Sequence, residues 1–353
     1  MSTFETHSNP AVVPPARKPG WTSIDFEAPG IQSDFARVPY SSDSSAYGWI
    51  PVPMICFNSG RGGPTALLTA GTHGDEYEGQ IALRKLVCEL KNCELRGRVI
   101  ILPALNQPAV KAGRRNSPLD GGNLNRLFPG SLHGGPTAVI AHFVANELFP
   151  LADVVIDLHS GGTSLDYTPM ALAYPGRDAS EEESIRRLLK SFAAPYSATT
   201  GGSGGGNGTT LYAAAEQQGI PAITTELGGG PTLSKIGLAI AETGLRRVLR
   251  DYEIANLGNV FESPHTSFMR FLDRDGDIYA PRDGLFEPFV KAGDKVTIGQ
   301  KAGKIHRLDD ALTPPVELTF EGSGIVAFTR FPTLTATGDA LFGLMIEQKD
   351  HNP

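Results

Sequence analysis

Cysteine is scarce. The 353 residues hold three, Cys56, Cys88 and Cys93, an odd number at irregular spacing. No disulfide framework can be built on that pattern. Cys88 and Cys93 lie among apolar neighbours, as core or half-buried thiols do, and a reducing cytoplasm is the expected compartment. Long apolar runs are missing too. None reaches the ~18 residues that span a bilayer, so no membrane partner is expected. The first residues, MSTFETHSNPAVVPPARKPG, lack the charged-then-apolar order of a secretory signal. There is no long basic run, and the net charge is −7. That removes the electrostatic footprint of a nucleic-acid binder. The mild acidity speaks mostly to solubility, and it fits a cationic substrate slightly better than an anionic one.

What is present is an ordinary soluble composition, 40% hydrophobic and 20% charged. A chain of this length suggests about two domains and can bury a core without covalent staples. The first ~20 residues are Pro-rich and polar and read as a loose arm, residues 1–20. Beyond it, continuous apolar runs alternate with amphipathic ones. Ala66–Ala70, Val99–Pro103, Val154–Leu158 and Ala222–Thr225 read as buried strands. Helices are expected near Glu78–Leu90, Thr137–Phe149, Glu181–Phe192, Leu211–Gln218 and Leu233–Tyr252. The alternation predicts an α/β domain over 21–263, a mostly parallel sheet flanked by helices. After about Pro264 helical periodicity ends. Short β-rich runs broken by Gly, Asp and Pro predict a smaller all-β domain over 264–353. The stretch Thr199–Thr210 (TTGGSGGGNGTT) reads as a loop, either plain surface or an active-site lid.

Chemistry collects at the strand ends. His73 and Glu76 follow the first strand at a spacing that lets an imidazole and a carboxylate meet on one cation. His159 ends the third strand, in Asp157-Leu158-His159-Ser160-Gly161-Gly162. Carboxyl ends of parallel strands line the crevice where ligands bind. Two His and one Glu form the three-ligand set of a catalytic zinc with one open position. Glu226 closes the fourth strand before a glycine run, where a carboxylate can reach the crevice and act as general base and acid. The polar segment 106–130 carries Arg114, Arg115, Asn123, Asn125 and Arg126. An arginine fork there suits a substrate carboxylate, and another suits a developing oxyanion. Each of these residues also has a bland reading, as a structural histidine, an exposed strand-end charge or an ordinary polar loop.

Taken together, several motifs resemble one family. They are Gly71-Thr72-His73-Gly74-Asp75-Glu76, Asn106, Asn123-Leu124-Asn125-Arg126-Leu127-Phe128-Pro129-Gly130, Asp157-Leu158-His159 and Thr225-Glu226-Leu227-Gly228. The family is that of the succinylglutamate desuccinylases and aspartoacylases, relatives of the zinc carboxypeptidases, and the resemblance covers roughly 45–350. It implies a carboxypeptidase-like α/β domain with one Zn2+ per subunit on His73, Glu76 and His159. It implies Glu226 as base and acid, and Asn125 with Arg126 on the substrate α-carboxylate. Arg115 would polarise the carbonyl, with Arg114 one residue away in register. Asn123 stands where aspartoacylase-type members carry Asp, and the segment 115–123 is longer by several residues. Within the family the sequence looks most like bacterial deacetylases of ectoine breakdown, which act on Nα-acetyl-L-2,4-diaminobutyrate. The stretches carrying that likeness are His73–Gly79, Ser117–Arg126, His159–Gly162 and Thr224–Gly230.

A diaminobutyrate substrate brings an ammonium, for which Asp120 and Asp166 are candidate partners beside their turn-capping reading. An N-acylaspartate or N-succinylglutamate would bring a second carboxylate, which Arg114 would suit. Gly284–Ile305 looks like a biotinyl/lipoyl-type half-barrel. Ile305-His306-Arg307-Leu308-Asp309-Asp310 carries no modifiable lysine between methionines, which rejects a carrier role. The expected partner is a small N-acyl amino acid, with self-association into a homo-oligomer left open. A zinc carboxypeptidase acting on peptides and a catalytically silent metal-binding protein are the competing readings.

Overall fold

A computed structural model describes residues 20–201, 208–258, 265–272 and 276–348. The expected N-terminal arm, the middle of the glycine-rich stretch and the boundary at 263/264 lie outside the described residues. In chain order the first elements are β1 (Gly30–Ser42), β2 (Ser45–Asn58), β3 (Thr65–Ala70), α1 (Glu78–Leu90), β4 (Arg98–Leu102), α2 (Gln107–Ala112) and α3 (Pro136–Phe143). Next come β5 (Val154–Leu158), β6 (Leu165–Tyr167), β7 (Met170–Ala173), α4 (Ala179–Phe192), β8 (Tyr196–Thr199), α5 (Leu211–Gln217), β9 (Ala222–Glu226) and α6 (Lys235–Asp251). The remainder is β10 (Ser267–Phe271), β11 (Ile278–Tyr279), β12 (Gly284–Pro288), β13 (Lys295–Val296), β14 (Lys301–His306), β15 (Val316–Thr319), β16 (Gly324–Arg330), β17 (Leu334–Thr335) and β18 (Ala340–Glu347).

β4, β3, β5 and β9 run side by side in parallel and form the heart of the sheet. All six residues of β3 and all five of β5 are buried. They must be apolar on both faces because each face is covered. Alternate side chains go to opposite sides. Leu67, Ile100 and Val155 pack with α3 and α5. Leu68, Ile101 and Ile156 pack with α1, α4 and α6. Helix ends are tied by side chains: Asp178 accepts from the amides of Ser180 and Glu181, and Ser234 from that of Gly237. The helix expected over Thr137–Phe149 is α-helical only to Phe143. It widens into a π turn at Val144–Leu148 and tightens to a 3-10 turn at Phe149–Leu151. Pro150 offers no N–H to continue the α-helical ladder.

The sheet is larger than the sequence suggested. β1 and β2 form a long antiparallel hairpin on one edge, with β2 antiparallel to β4. On the other side β7 pairs antiparallel with β9, and β8 and β10 follow in parallel. β18, β16 and β13 then extend the same sheet, so C-terminal strands hydrogen-bond onto the one that carries the site. A separate antiparallel sheet, ordered β15-β14-β12-β17, packs Phe286 and Ile305 against Phe342 of β18, in a core that also holds Phe320. The architecture is mixed α/β, with a large central sheet, flanking helices and a small antiparallel sheet.

Candidate active site

His73, Glu76 and His159 converge as the strand ends predict. β3 delivers the first two through the turn after Ala70, and β5 delivers the third. Their donor atoms lie within 4.8 Å of one another, and all three residues are buried. Nδ1 of His73 is 2.7 Å from Oε1 of Glu76, and Nδ1 of His159 is 2.8 Å from Oε2. The Ser160 amide also donates to Oε2 at 3.1 Å. The two rings meet edge to face, centroids 4.9 Å apart. Gly74 permits this turn to lie on α2, because a Cβ there would stand 2.0 Å from the Ala109 carbonyl oxygen.

The outer nitrogens are held as well. Nε2 of His159 is 2.7 Å from Oδ2 of Asp157, and Nε2 of His73 is 3.0 Å from Oδ1 of Asn123. Such partners fix a ring's orientation and leave its other nitrogen for an ion. Asp157 is fully buried and accepts from the hydroxyls of Thr69 (2.7 Å) and Thr72 (2.9 Å). Burial opposes the charges of Glu76, Asp157 and His159. Glu76 is nonetheless held below the usual carboxylate range by both histidines, and Asp157 by His159 and the two threonines. His159 is raised well above the usual imidazole range by Asp157 and Glu76. Burial keeps His73 low. A buried carboxylate facing two imidazole nitrogens is a donor set that suits a divalent cation.

Glu226 ends β9 beside this group. The loops after β5 and β9 are zipped together: Leu227 N donates to His159 O (3.1 Å), Gly161 N to Gly228 O (2.8 Å) and Gly230 N to Gly162 O (2.7 Å). Glycine is needed at 229, where a Cβ would sit 1.8 Å from the Leu165 carbonyl oxygen. Oε2 of Glu226 is buried with no protein hydrogen-bond partner. Its carboxyl is pushed up to about 8 by burial and then by Glu76, against His159, Arg115 and Arg126. A cation on the three ligands would pull it down. Either way a carboxyl with a free oxygen stands ready to exchange a proton.

Of the two adjacent arginines, Arg115 enters the site. Its Nη1 lies 3.3 Å from Nδ1 of His73 and 3.4 Å from Oε1 of Glu76. Arg114 is exposed and contributes its backbone carbonyl, which accepts from Gly74 N at 2.9 Å. Arg126 is half-buried, and burial and Arg115 lower its pKa while Tyr212, Tyr167 and Glu226 oppose them, so it shares their surroundings. Asn125 uses Oδ1 to accept from Leu211 N at 2.9 Å, tying this segment to the start of α5.

Three other expected substrate contacts are placed differently. Asn123 lies behind His73. Asp120 is an exposed cap whose oxygens accept from Thr137 N (2.9 Å), Thr137 Oγ1 (2.7 Å) and Gly122 N (3.0 Å). Those bonds fasten Asp120 to the start of α3. Asp166 alternates with Tyr167 on β6 and so points to the opposite side of that strand from it. Its pKa is raised by burial alone. Sequence reasoning missed Asp157 and Asp75. Asp75 clamps the His159 loop, accepting from Thr163 N and Thr163 Oγ1, both at 2.9 Å. Asp157 had a signal, since two residues from His159 on a strand is the same face.

Comparison with known proteins gives the family of the chain. The model of the succinylglutamate desuccinylase/aspartoacylase catalytic domain matches residues 62–252, which include His73, Glu76, His159 and Glu226. The chain belongs to the succinylglutamate desuccinylase/aspartoacylase family. It is 40% identical over 319 residues to the N-alpha-acetyl-L-2,4-diaminobutyric acid deacetylase of Halomonas elongata, covering 90% of this chain and 92% of that one. Among solved structures, a succinylglutamate desuccinylase/aspartoacylase from Rhodobacter sphaeroides is 36% identical. It covers 93% of this chain and 98% of its own, with a TM-score of 0.86. The product-bound Ectoine utilization protein EutE (DoeB) from Ruegeria pomeroyi is 37% identical, with 92% and 98% coverage and a TM-score of 0.86. These family members are similar over the C-terminal strands too, which lie beyond the matched catalytic domain. The Halomonas elongata and Rhodobacter sphaeroides relatives carry the names of deacylating hydrolases. No helix among the described residues is long and apolar enough to cross a membrane.

Proposed function

We propose that this chain is a zinc-dependent hydrolase of N-acyl amino acids, and that its substrate is Nα-acetyl-L-2,4-diaminobutyrate. The observation that carries the reading is the pair of imidazole Nδ1 atoms facing the two oxygens of Glu76, with the unpartnered Oε2 of Glu226 beside them. The 40% identical deacetylase from Halomonas elongata supports the substrate.

Zinc on His73, Glu76 and His159 would polarise the acyl carbonyl and acidify a water. Glu226 takes a proton from the attacking water and returns it to the leaving amine. Arg115 donates to the carbonyl oxygen as negative charge gathers on it. Arg126, with the amide nitrogen of Asn125, grips the α-carboxylate. Asp157 and Asn123 keep the two rings turned inward. Residues 21–263 make up the catalytic unit. Residues 264–353 form a β unit of half-barrel type, a reading supported by the four-stranded antiparallel sheet.

The test is a panel of Nα-acetyl-diaminobutyrate, N-acetylaspartate, N-succinylglutamate and a long peptide, each with added zinc and with a chelator. Hydrolysis of the first, lost with chelator and restored by zinc, is expected. Preference for either dicarboxylate overturns the substrate, cleavage of the peptide favours a carboxypeptidase, and indifference to chelation overturns the metal.

A further inference from the structure

The starts of α1 and α6 meet beside the loops that carry the site. Gly79 lets α1 come down on β5, since a Cβ there would stand 2.4 Å from Leu158 Cβ and 3.0 Å from Ala70 Cβ. Gly237 does the same for α6, where a Cβ would stand 1.9 Å from the Leu227 carbonyl oxygen. Ser234 lies against Gly228, whose added Cβ would be 3.3 Å from Ser234 Cβ and Oγ. Leu227 and Gly228 directly follow Glu226. The first turn of α6 is therefore the abutment for the chain just past Glu226.

That turn is capped from two helices. Ser234 is the N-cap of α6, and its Oγ accepts from Gly237 N at 3.0 Å. In a capping box the residue three past the cap is Glu or Gln, whose side chain reaches back to the cap's own N–H. Gly237 holds that position, and the close approach to Leu227 excludes any side chain there. Glu78, the first residue of α1, takes the missing part. Its Oε1 accepts from Ser234 N at 2.7 Å, across 156 residues of sequence. Glu78 is 1% exposed, and its Oε2 has no protein hydrogen-bond partner. Two helix starts favour a negative charge between them. Asp75, three residues earlier, holds the His159 loop through Thr163 in the same manner. One short segment thus fastens a loop on either side of Glu76, and nothing derived so far uses Glu78.

We infer that Glu78 is a positioning residue for Glu226: from α1 it completes the cap of α6, and so fixes the Leu227–Gly228 backbone that sets where the Glu226 carboxyl stands. It acts through the loop and not on the reacting atoms. Without the contact Ser234 N–H loses its acceptor, and the first turn of α6 shifts to find another. Leu227 N still donates to His159 O, and β9 still pairs with β5, which limits the shift. The inference rests on the deacylase reading, with Glu226 as its base.

Three variants separate reach from charge. Glu78→Gln keeps an oxygen acceptor at the same reach, Glu78→Asp keeps the charge one methylene short, and Glu78→Ala keeps neither. In the zinc-loaded full chain, kcat should fall about 5- to 30-fold in Glu78→Asp and Glu78→Ala, below the ~10² that an ångström's misplacement costs. Glu78→Gln should stay within about threefold of native in kcat, KM should stay within about threefold in all three, and zinc content should not move. Asp178→Ala, which uncaps α4, should lower the melting temperature and leave kcat alone. In a Glu226→Gln background Glu78→Asp should change the residual turnover by less than about twofold, because a residue acting through the base then has nothing to position. Should Glu78→Ala not fold, Glu78→Asp carries the comparison. Native kcat in a folded Glu78→Asp overturns the inference, as does Glu78→Gln falling below Glu78→Asp. An undiminished effect in the Glu226→Gln background, or an equal loss of kcat in Asp178→Ala, overturns it too. A native chain inert toward every N-acyl amino acid sinks the deacylase reading and this inference with it. An active native chain with any of the preceding overturning results sinks this inference alone.

Discussion

Asp157→Asn isolates what holds a proposed ligand in place. Asp157 is fully buried at the end of β5, with Oδ2 at 2.7 Å from Nε2 of His159 and Oδ1 accepting from two threonine hydroxyls. Asparagine is nearly isosteric. Its carbonyl oxygen can face His159, and its amide then faces hydroxyls that can rotate to accept. The change therefore removes charge rather than a contact. A hydrogen bond to a charged partner contributes about 1.5–3 kcal/mol, against about 0.5–1.5 for a neutral one. The difference of roughly 1–2 kcal/mol weakens zinc binding by about 5- to 30-fold, within the range seen when such partners are lost. A second effect runs the other way. Asp157 and Glu76 hold a proton on His159 that competes with the ion, so the deficit should widen as pH rises and that competition fades. Competition with a chromophoric chelator from pH 7 to 9, with melting curves as a fold control, measures both. Native-like zinc affinity across that range in a folded Asp157→Asn would falsify the claim that this carboxylate supports the ligand.

Other outcomes follow from the same geometry. Glu226→Gln should keep zinc and lose about 10²–10⁴ in kcat, the usual worth of a positioned base; full turnover in stopped assays ends that assignment. Arg126→Lys replaces a fork by a point charge and should raise KM about tenfold or more for substrates with a free α-carboxylate, with no penalty for the corresponding ester; an equal effect on both contradicts the role. Glu216, buried on α5, has its carboxyl pushed from 4.5 up to about 8, chiefly by burial. Between those values the folded state keeps a proton that the unfolded chain has released, so stability is lost as pH rises through the window. Glu216→Gln should flatten that decline, worth roughly 2–4 kcal/mol at pH 9 once water penetration is discounted, and parallel native and variant melting profiles over pH 5–9 would contradict it.

The proposed centre was legible because its residues sit where a pattern marks them. His73, Glu76, His159 and Glu226 each follow an apolar run that has to be a buried strand, and parallel strands bring their carboxyl ends to one crevice. The two arginines could not be told apart, because a one-residue difference in an irregular loop carries no periodicity. Packing chose Arg115, with Arg114 held through its backbone carbonyl. Asp120 was an equal candidate for capping and for substrate, and the start of α3 claimed it.

Local order along the chain was sufficient for the buried strands, the helices that cover them and the ligand types, since each rests on spacing between near neighbours. Tertiary structure alone decided that β16 and β18 join the sheet of β3, β5 and β9, and that Asn123 stands behind His73. Those facts depend on pairings between segments up to some 160 residues apart, such as Phe328 with Tyr167. Loop closure and edge-to-edge hydrogen bonding set such pairings, and neither leaves a mark on the short stretch of sequence where a residue sits.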